Sequence, residues 1–187
     1  MRAKFVTAVV ALVLAVSGAS AFAEPTAVGL WQAVDEETGQ PTGWFLIRDV
    51  GGVYDGIIAK MFLKPGQNPN VVCSQCRDDR HNKPWLGLDI IRGMRREGLG
   101  YQNGTILDPR DGNVYNAMMT LSPDGQTLVV RGYLGISLLG KNQYWTRLPD
   151  AAYNDLDPSI TPKRAGRAPA PARKSGAASK PQNSAQR

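Results

Sequence analysis

Cys73, Cys76, Asp78, Asp79 and His81 fall within nine positions and are the side chains best able to do chemistry in this 187-residue chain. The two cysteines are the only ones, and His81 is the only histidine. Three chemistries fit the spacing. The first is a disulfide closing a very short ring, the usual fate of a C-x-x-C in an oxidising compartment. The second is a thiol–disulfide oxidoreductase, which normally places its first cysteine at a helix N-terminus after a βαβ pattern, where the helix end stabilises the thiolate. No such helix pattern precedes Cys73. The third is zinc, with Cys73, Cys76, Asp79 and His81 as ligands, although structural zinc sites usually offer a second pair of Cys or His. The disulfide is the expected state, and no metal or other cofactor is expected.

Other catalytic patterns are missing. A hydrolase triad would have to use His81, yet there is no G-x-S-x-G elbow, and there is neither a phosphate loop nor a dinucleotide fingerprint. Asp108-Pro109 and Asp111-Gly112 read as turn residues and not as an acid–base pair. No catalytic residue is assigned, and the chain is not expected to be an enzyme.

The elements that position these residues are strands. From Gly104 to Arg147 the sequence GTILDPRDGNVYNAMMTLSPDGQTLVVRGYLGISLLGKNQYWTR carries four, joined by tight turns. Asp111-Gly112 and Asp124-Gly125 supply the positive φ that hairpin turns require. Between them Tyr115, Ala117, Met119 and Leu121 alternate with Val114, Asn116, Met118 and Thr120, the period of two of a half-buried strand. Leu128 and Val130 oppose Val129 and Arg131 in the same way. Arg131 is therefore expected on the outer face, with an inward anchor for an anionic ligand as the alternative.

Upstream, residues 28–34, 44–48, 53–62 and 86–93 read as further strands. Gly51-Gly52 is a turn, and 95–100 another. In the 53–62 strand Ile57, Ala59 and Met61 point one way and Ile58, Lys60 and Phe62 the other. The segment 64–83, with two prolines, both cysteines and no apolar period, is a long loop of the kind that is functional or mobile. About eight strands without a long amphipathic helix argue an all-β antiparallel barrel or sandwich. A closed eight-stranded barrel can hold one small ligand. Trp44, Trp85 and Trp145 are candidates to line the interior or close its mouth.

The termini place the protein outside the cytoplasm. Residues 1–23 have a positive start (Arg2, Lys4), an apolar run and the small-x-small site Ala21-Phe22-Ala23, which is a cleavable secretory signal. The mature chain is expected to be exported, periplasmic or secreted, with no transmembrane segment. The expected domains are residues 1–23 as signal, 24–150 as the β domain and 151–187 as a disordered basic tail. Taking two positive charges for the signal and seven for 158–187 from the formal +6 leaves −3 for 24–157. The basicity thus belongs to an appendage and does not argue a specific nucleic-acid partner. An anionic envelope surface is the partner such a tail would find, and a merely solubilising tail is the alternative.

A set of short motifs carries a family likeness. Gly29-Leu30-Trp31, Cys73-Ser74-Gln75-Cys76, Asp78-Asp79-Arg80, Ile106-Leu107-Asp108-Pro109, Gly112-Asn113-Val114-Tyr115, Val130-Arg131-Gly132-Tyr133-Leu134-Gly135 and Gln143-Tyr144-Trp145-Thr146-Arg147 occur in this order. Together they resemble the exported bacterial proteins grouped as domain of unknown function 2147. The resemblance implies a secreted, lipocalin-like β-barrel without an established activity. The sequence departs from the family at Arg77-Asp78-Asp79, where the family pattern has a glycine close after the second cysteine. Gly29, Trp31 and Arg147 look like the set that closes the base of lipocalin-type barrels, a guanidinium lying flat on an indole. The expected function is binding of a small apolar or amphipathic ligand. The alternative is an envelope interaction protein with a packed core and a tethering tail, and a zinc or redox role of the cysteine loop comes third.

Overall fold

A computed structural model describes residues 24–161. The expected signal and all of the tail beyond 161 lie outside the described residues. Eight antiparallel strands follow the chain: β1 (Gly29–Val34), β2 (Pro41–Val50), β3 (Val53–Met61), β4 (Asp89–Glu97), β5 (Gly100–Asp108), β6 (Asn113–Leu121), β7 (Thr127–Tyr133) and β8 (Lys141–Arg147). Each pairs with the next, and β8 returns to β1, so the sheet closes into a barrel in which every strand has two neighbours. Closure removes the unpaired edges of an open sheet.

The turns β2–β3, β4–β5 and β6–β7, with the start of β1 and the end of β8, form one end of the barrel, the base. The β1–β2, β3–β4, β5–β6 and β7–β8 connections form the other, the mouth. Gly112 and Gly125 have φ of 72° and 71°, as the two Asp-Gly turns require. The alternation read in β6 and β7 sends Ala117, Met119, Leu121, Leu128 and Val130 into the core, each at most 1% exposed. Arg131 is on the outer face, as the alternation required.

Bulges account for the departures in the other strands. The β2–β3 register jumps from Trp44↔Lys60 to Phe45↔Ile58, so Ala59 is an extra residue. A bulge reverses the faces beyond it. Ile57 and Ala59 belong to an outer apolar cluster, whereas Met61 packs on the barrel core; the grouping of the three on one face does not hold. The fourth strand starts at Asp89, not Leu86, and runs through the expected turn at 95–100 as far as Glu97. Gly93, at φ 77°, donates its N–H to Asp55 Oδ1 at 2.9 Å, and so kinks the strand without ending it.

The boundary at 150/151 also moves. Residues 150–155 form a 3-10 turn, and Leu156 and Ile160 are buried. They cover the outward faces of Leu30, Trp44, Leu46 and Ile57 together with Leu86, Leu148, Ala152 and Tyr153. A strand face that is apolar on both sides needs a cover on both sides. The chain supplies its own with Leu156 and Ile160, two large aliphatics separated by Asp157, Pro158 and Ser159, a stretch that reads as linker because the proline interrupts any helix.

Candidate functional site

At the base, Gly29, Trp31 and Arg147 lie against one another. The Arg147 guanidinium carbon lies 4.2 Å from the centre of the Trp31 indole. Its Nη1 donates to Val28 O at 2.8 Å, and Nε and Nη2 reach Gly125 O and Thr26 O. Trp31 Nε1 donates to Ala27 O at 2.8 Å. Gly29 has φ 142°, and a Cβ there would stand 2.5 Å from Arg147 Nη1, so only glycine lets the arginine fold across the strand. Tyr101, fully buried, receives the Ala27 N–H at 2.8 Å and packs edge-on against Tyr54.

The cysteine loop is held in place by its own polar side chains. Cys73 and Cys76 form a disulfide with Cα atoms 5.4 Å apart, so they hold no thiolate for zinc. Both are buried and belong to the same apolar cluster as Leu88, Ile90 and Leu107. His81 Nδ1 donates to Cys76 O at 2.7 Å. Arg80, 2% exposed, is paired with Asp78 and donates to Asp89 O. Asp79 instead accepts two bonds from Arg92, at 2.7 and 3.0 Å, and a longer one from Lys83. The Arg92 hydrogen bonds hold its carboxyl far below the usual carboxylate range. Of the four zinc candidates, Cys73 and Cys76 are thus bonded to each other, His81 to a backbone carbonyl and Asp79 to Arg92 and Lys83, and among the described residues no three His, Cys, Asp or Glu side chains converge as a metal site. The loop also clasps the β5–β6 turn: a Cβ on Gly112 would fall 2.0 Å from Gln75 O. A segment expected to be functional or mobile is tied down at both the disulfide and this contact.

Facing across the ladder identifies what lines the interior, because directly paired residues of an antiparallel sheet project on one side. Near the base the inner face is filled. Leu128, Trp145 and Val130 are at most 1% exposed. One step toward the mouth the pattern changes. Gln143, paired with Val130, and Lys141, paired with Gly132, are exposed although both share the inner face. Phe45, Ile106 and Tyr115, also inward by register, are half-buried. Phe45 and Trp145 stack with centroids 4.4 Å apart and planes 12° off parallel. Trp145 Nε1 donates to Gln143 Oε1 at 3.1 Å. This end of the inner face, called the cup below, thus consists of Phe45 stacked on Trp145, the half-buried Ile106 and Tyr115, and the exposed Gln143 and Lys141.

Trp44 takes no part, because it lies on the outside beneath the C-terminal cover, with Lys60 Nζ 4.3 Å over its ring. Trp85 packs at the edge of the core, its indole N–H buried without a partner among the described residues. Outside the barrel an open depression of about 470 Å³ lies between Lys60, Leu63, Pro69, Leu86 and Leu156. The cup residues Phe45, Gln143 and Lys141 were not singled out in the sequence. Their only signal was parity with Trp145 and Arg147, counted back along β8 and across to β2.

The model of a family described as an uncharacterized protein conserved in bacteria, DUF2147, matches residues 29–147, from the glycine of the base closure to its arginine. The chain belongs to this family. Among solved structures, it is similar to protein HP1028 of Helicobacter pylori, described as belonging to the lipocalin family. The TM-score is 0.60 at 16% identity, covering 71% of this chain and 91% of that one. At that identity the likeness concerns the fold, which is lipocalin-like. No curated protein matches the chain.

Proposed function

We propose that this DUF2147 barrel is an exported, non-enzymatic binding protein whose cup takes the apolar end of a small amphipathic molecule. The observation that carries this reading is the change along the inner face, from fully packed at Leu128 and Trp145 to exposed at Gln143 and Lys141. An apolar group stacked on Phe45 would leave its polar or anionic head beside the Gln143 amide and the Lys141 ammonium. Apolar floors with a few placed polar groups are the usual make-up of small-molecule sites. Export is supported by the sequence of residues 1–23 and by the disulfide.

The filled base supports a second reading, an envelope interaction protein with a solid core in which the mouth binds nothing. A chain-length series of fatty acids, displacing a fluorescent probe, separates the two. A shallow cup predicts affinity that stops rising beyond a short chain, whereas a deep calyx would keep gaining with each methylene. Gln143→Trp, which fills the cup from an exposed position, should abolish displacement; it also removes the acceptor of the Trp145 indole N–H, so the unfolding midpoint should fall by the equivalent of about 1–3 kcal/mol while the barrel stays folded. Failure of every amphiphile to bind, or binding indifferent to Gln143→Trp, would decide for the solid-core reading.

A further inference from the structure

The β7–β8 hairpin presents Leu134, Ile136, Leu138 and Leu139 at its tip, each 62–80% exposed. Four large aliphatics within six residues on one exposed connection form a patch, unlike scattered surface leucines, which need no explanation. The tip is also fixed in shape. Arg131 donates from Nε to Ser137 O at 2.7 Å, from Nη2 to Leu138 O at 3.1 Å and from Nη1 to Asn142 Oδ1 at 2.6 Å. Residues 137–139 make a 3-10 turn. Gly140 closes the hairpin so tightly that a Cβ would lie 2.7 Å from Gly132 O. An arginine on the outer face is thus used to hold two leucines out in solvent, and a preorganised tip loses little entropy on docking.

We propose that this hairpin is a lipid-surface anchor: its aliphatic tip enters the headgroup–acyl boundary of an anionic bilayer. The flanks favour lipid over a protein partner. Tyr144, 55% exposed, and Tyr133 stand behind the tip, and Lys141 follows it. Aliphatics at the point, with tyrosine and lysine one level back, match the layering of a membrane interface. Protein hot spots instead favour Trp, Tyr and Arg over Leu. Between Asp124 and Asp150 there is no acidic residue, while Arg131 and Lys141 lie on the hairpin itself, which complements an anionic surface. The acidic side chains at this end, Asp35, Glu36 and Glu37 on the β1–β2 turn, Asp78 and Asp79 on the β3–β4 connection and Asp108 and Asp111 at the β5–β6 turn, keep the rest of the rim in water, so the barrel docks tilted onto the hairpin. The inference stands apart from ligand binding in the cup, although docking would turn the mouth toward the membrane.

The test is flotation of the chain from Glu24 to Arg187 with phosphatidylglycerol/phosphatidylethanolamine vesicles, compared with Leu138→Asp/Leu139→Asp. Both positions are exposed and make no core contact, so the variant should keep the native circular dichroism and the probe displacement measured without vesicles. The expected result is a partition coefficient lower by at least about tenfold in the variant. Most of the wild-type binding should survive 1 M NaCl, where the screening length is about 3 Å. Equal flotation of the two proteins would overturn the proposal. So would binding lost entirely in 1 M NaCl, which would assign it to the basic tail. Absence of wild-type flotation would do the same, including the case of a dimer by native mass spectrometry that the substitutions dissociate, which would make the tip a self-association surface.

Discussion

Arg147 concentrates much of the base in one side chain. It covers Trp31 and donates to three backbone carbonyls from two separate parts of the chain, the residues ahead of β1 and the β6–β7 turn. Arg147→Met keeps much of the packing volume and removes the donors. Hydrogen bonds to a charged group contribute about 1.5–3 kcal/mol each, net of the water bonds they replace, when the site is buried. With water able to reach part of the site, a loss of about 2–3 kcal/mol in urea unfolding is expected. Gly29→Ala tests the same contact from the other side, combining an unfavourable φ with a Cβ 2.5 Å from Nη1. It should cost more than about 1 kcal/mol, while Gly39→Ala, with nothing within 4 Å at a φ of 67°, should cost less. Acid should act through other residues. Asp79, Asp78 and Asp108 are held below the ordinary carboxylate range, first by hydrogen bonds from Arg92, Arg80 and Arg110 respectively. A carboxylate whose folded pKa is depressed stabilises fully above its unfolded pKa, about 3.9, and loses that contribution as the pH falls toward the folded value. The urea midpoint should therefore drop below about pH 4, and Asp79→Asn should make that drop shallower.

At the scale of elements, the cysteine loop tests how much a short covalent ring contributes beyond chain entropy. Closing a four-residue ring gives only about 2 kcal/mol in the entropy model. Here, however, the ring is buried in the core cluster and clasped to Gly112 through Gln75. Cys73→Ser/Cys76→Ser should therefore cost more than about 2 kcal/mol, because two hydroxyls are then buried where sulfur packed. Hydrogen exchange should quicken in the 64–88 segment before it does in β6 and β7; equal protection throughout would show that the loop opens only with the whole barrel. The same segment shows where sequence reading stops. Strands β6 and β7 were legible because one face is buried and the other wet, and the period of two survives in the residue types. The 64–83 loop has no period, since Arg80 and His81 hold it through single directed hydrogen bonds. Those bonds depend on three-dimensional placement that residue spacing does not encode. In β3, Ile57 and Ile58 are both buried, on opposite sides, so hydrophobicity could not reveal the bulge at Ala59 that reverses the faces.

For the whole molecule, the barrel has two apolar layers, and the chain completes the outer one only after its last strand. The inner layer runs from Trp31 and Tyr101 at the base to Phe45 beneath the mouth. The outer layer, Leu30, Trp44, Leu46 and Ile57, would face water if the chain ended at Arg147. The residues matched by the family stop at that point, yet Leu156 and Ile160 lie beyond it. The expected domain end at 150 missed them because two aliphatics in a Pro- and Asp-rich stretch look like linker. Leu156→Ala should cost about 2–4 kcal/mol, as a buried leucine does. Stopping the chain after 149 should lower the urea midpoint further and expose Trp44, read as increased quenching of its fluorescence by acrylamide. Stopping it after 161 keeps every contact that the described residues make in the outer layer, so the midpoint is expected to match that of the full chain. If the 149 and 161 truncations unfolded alike, the C-terminal cover would add nothing, and the barrel alone would be the folding unit.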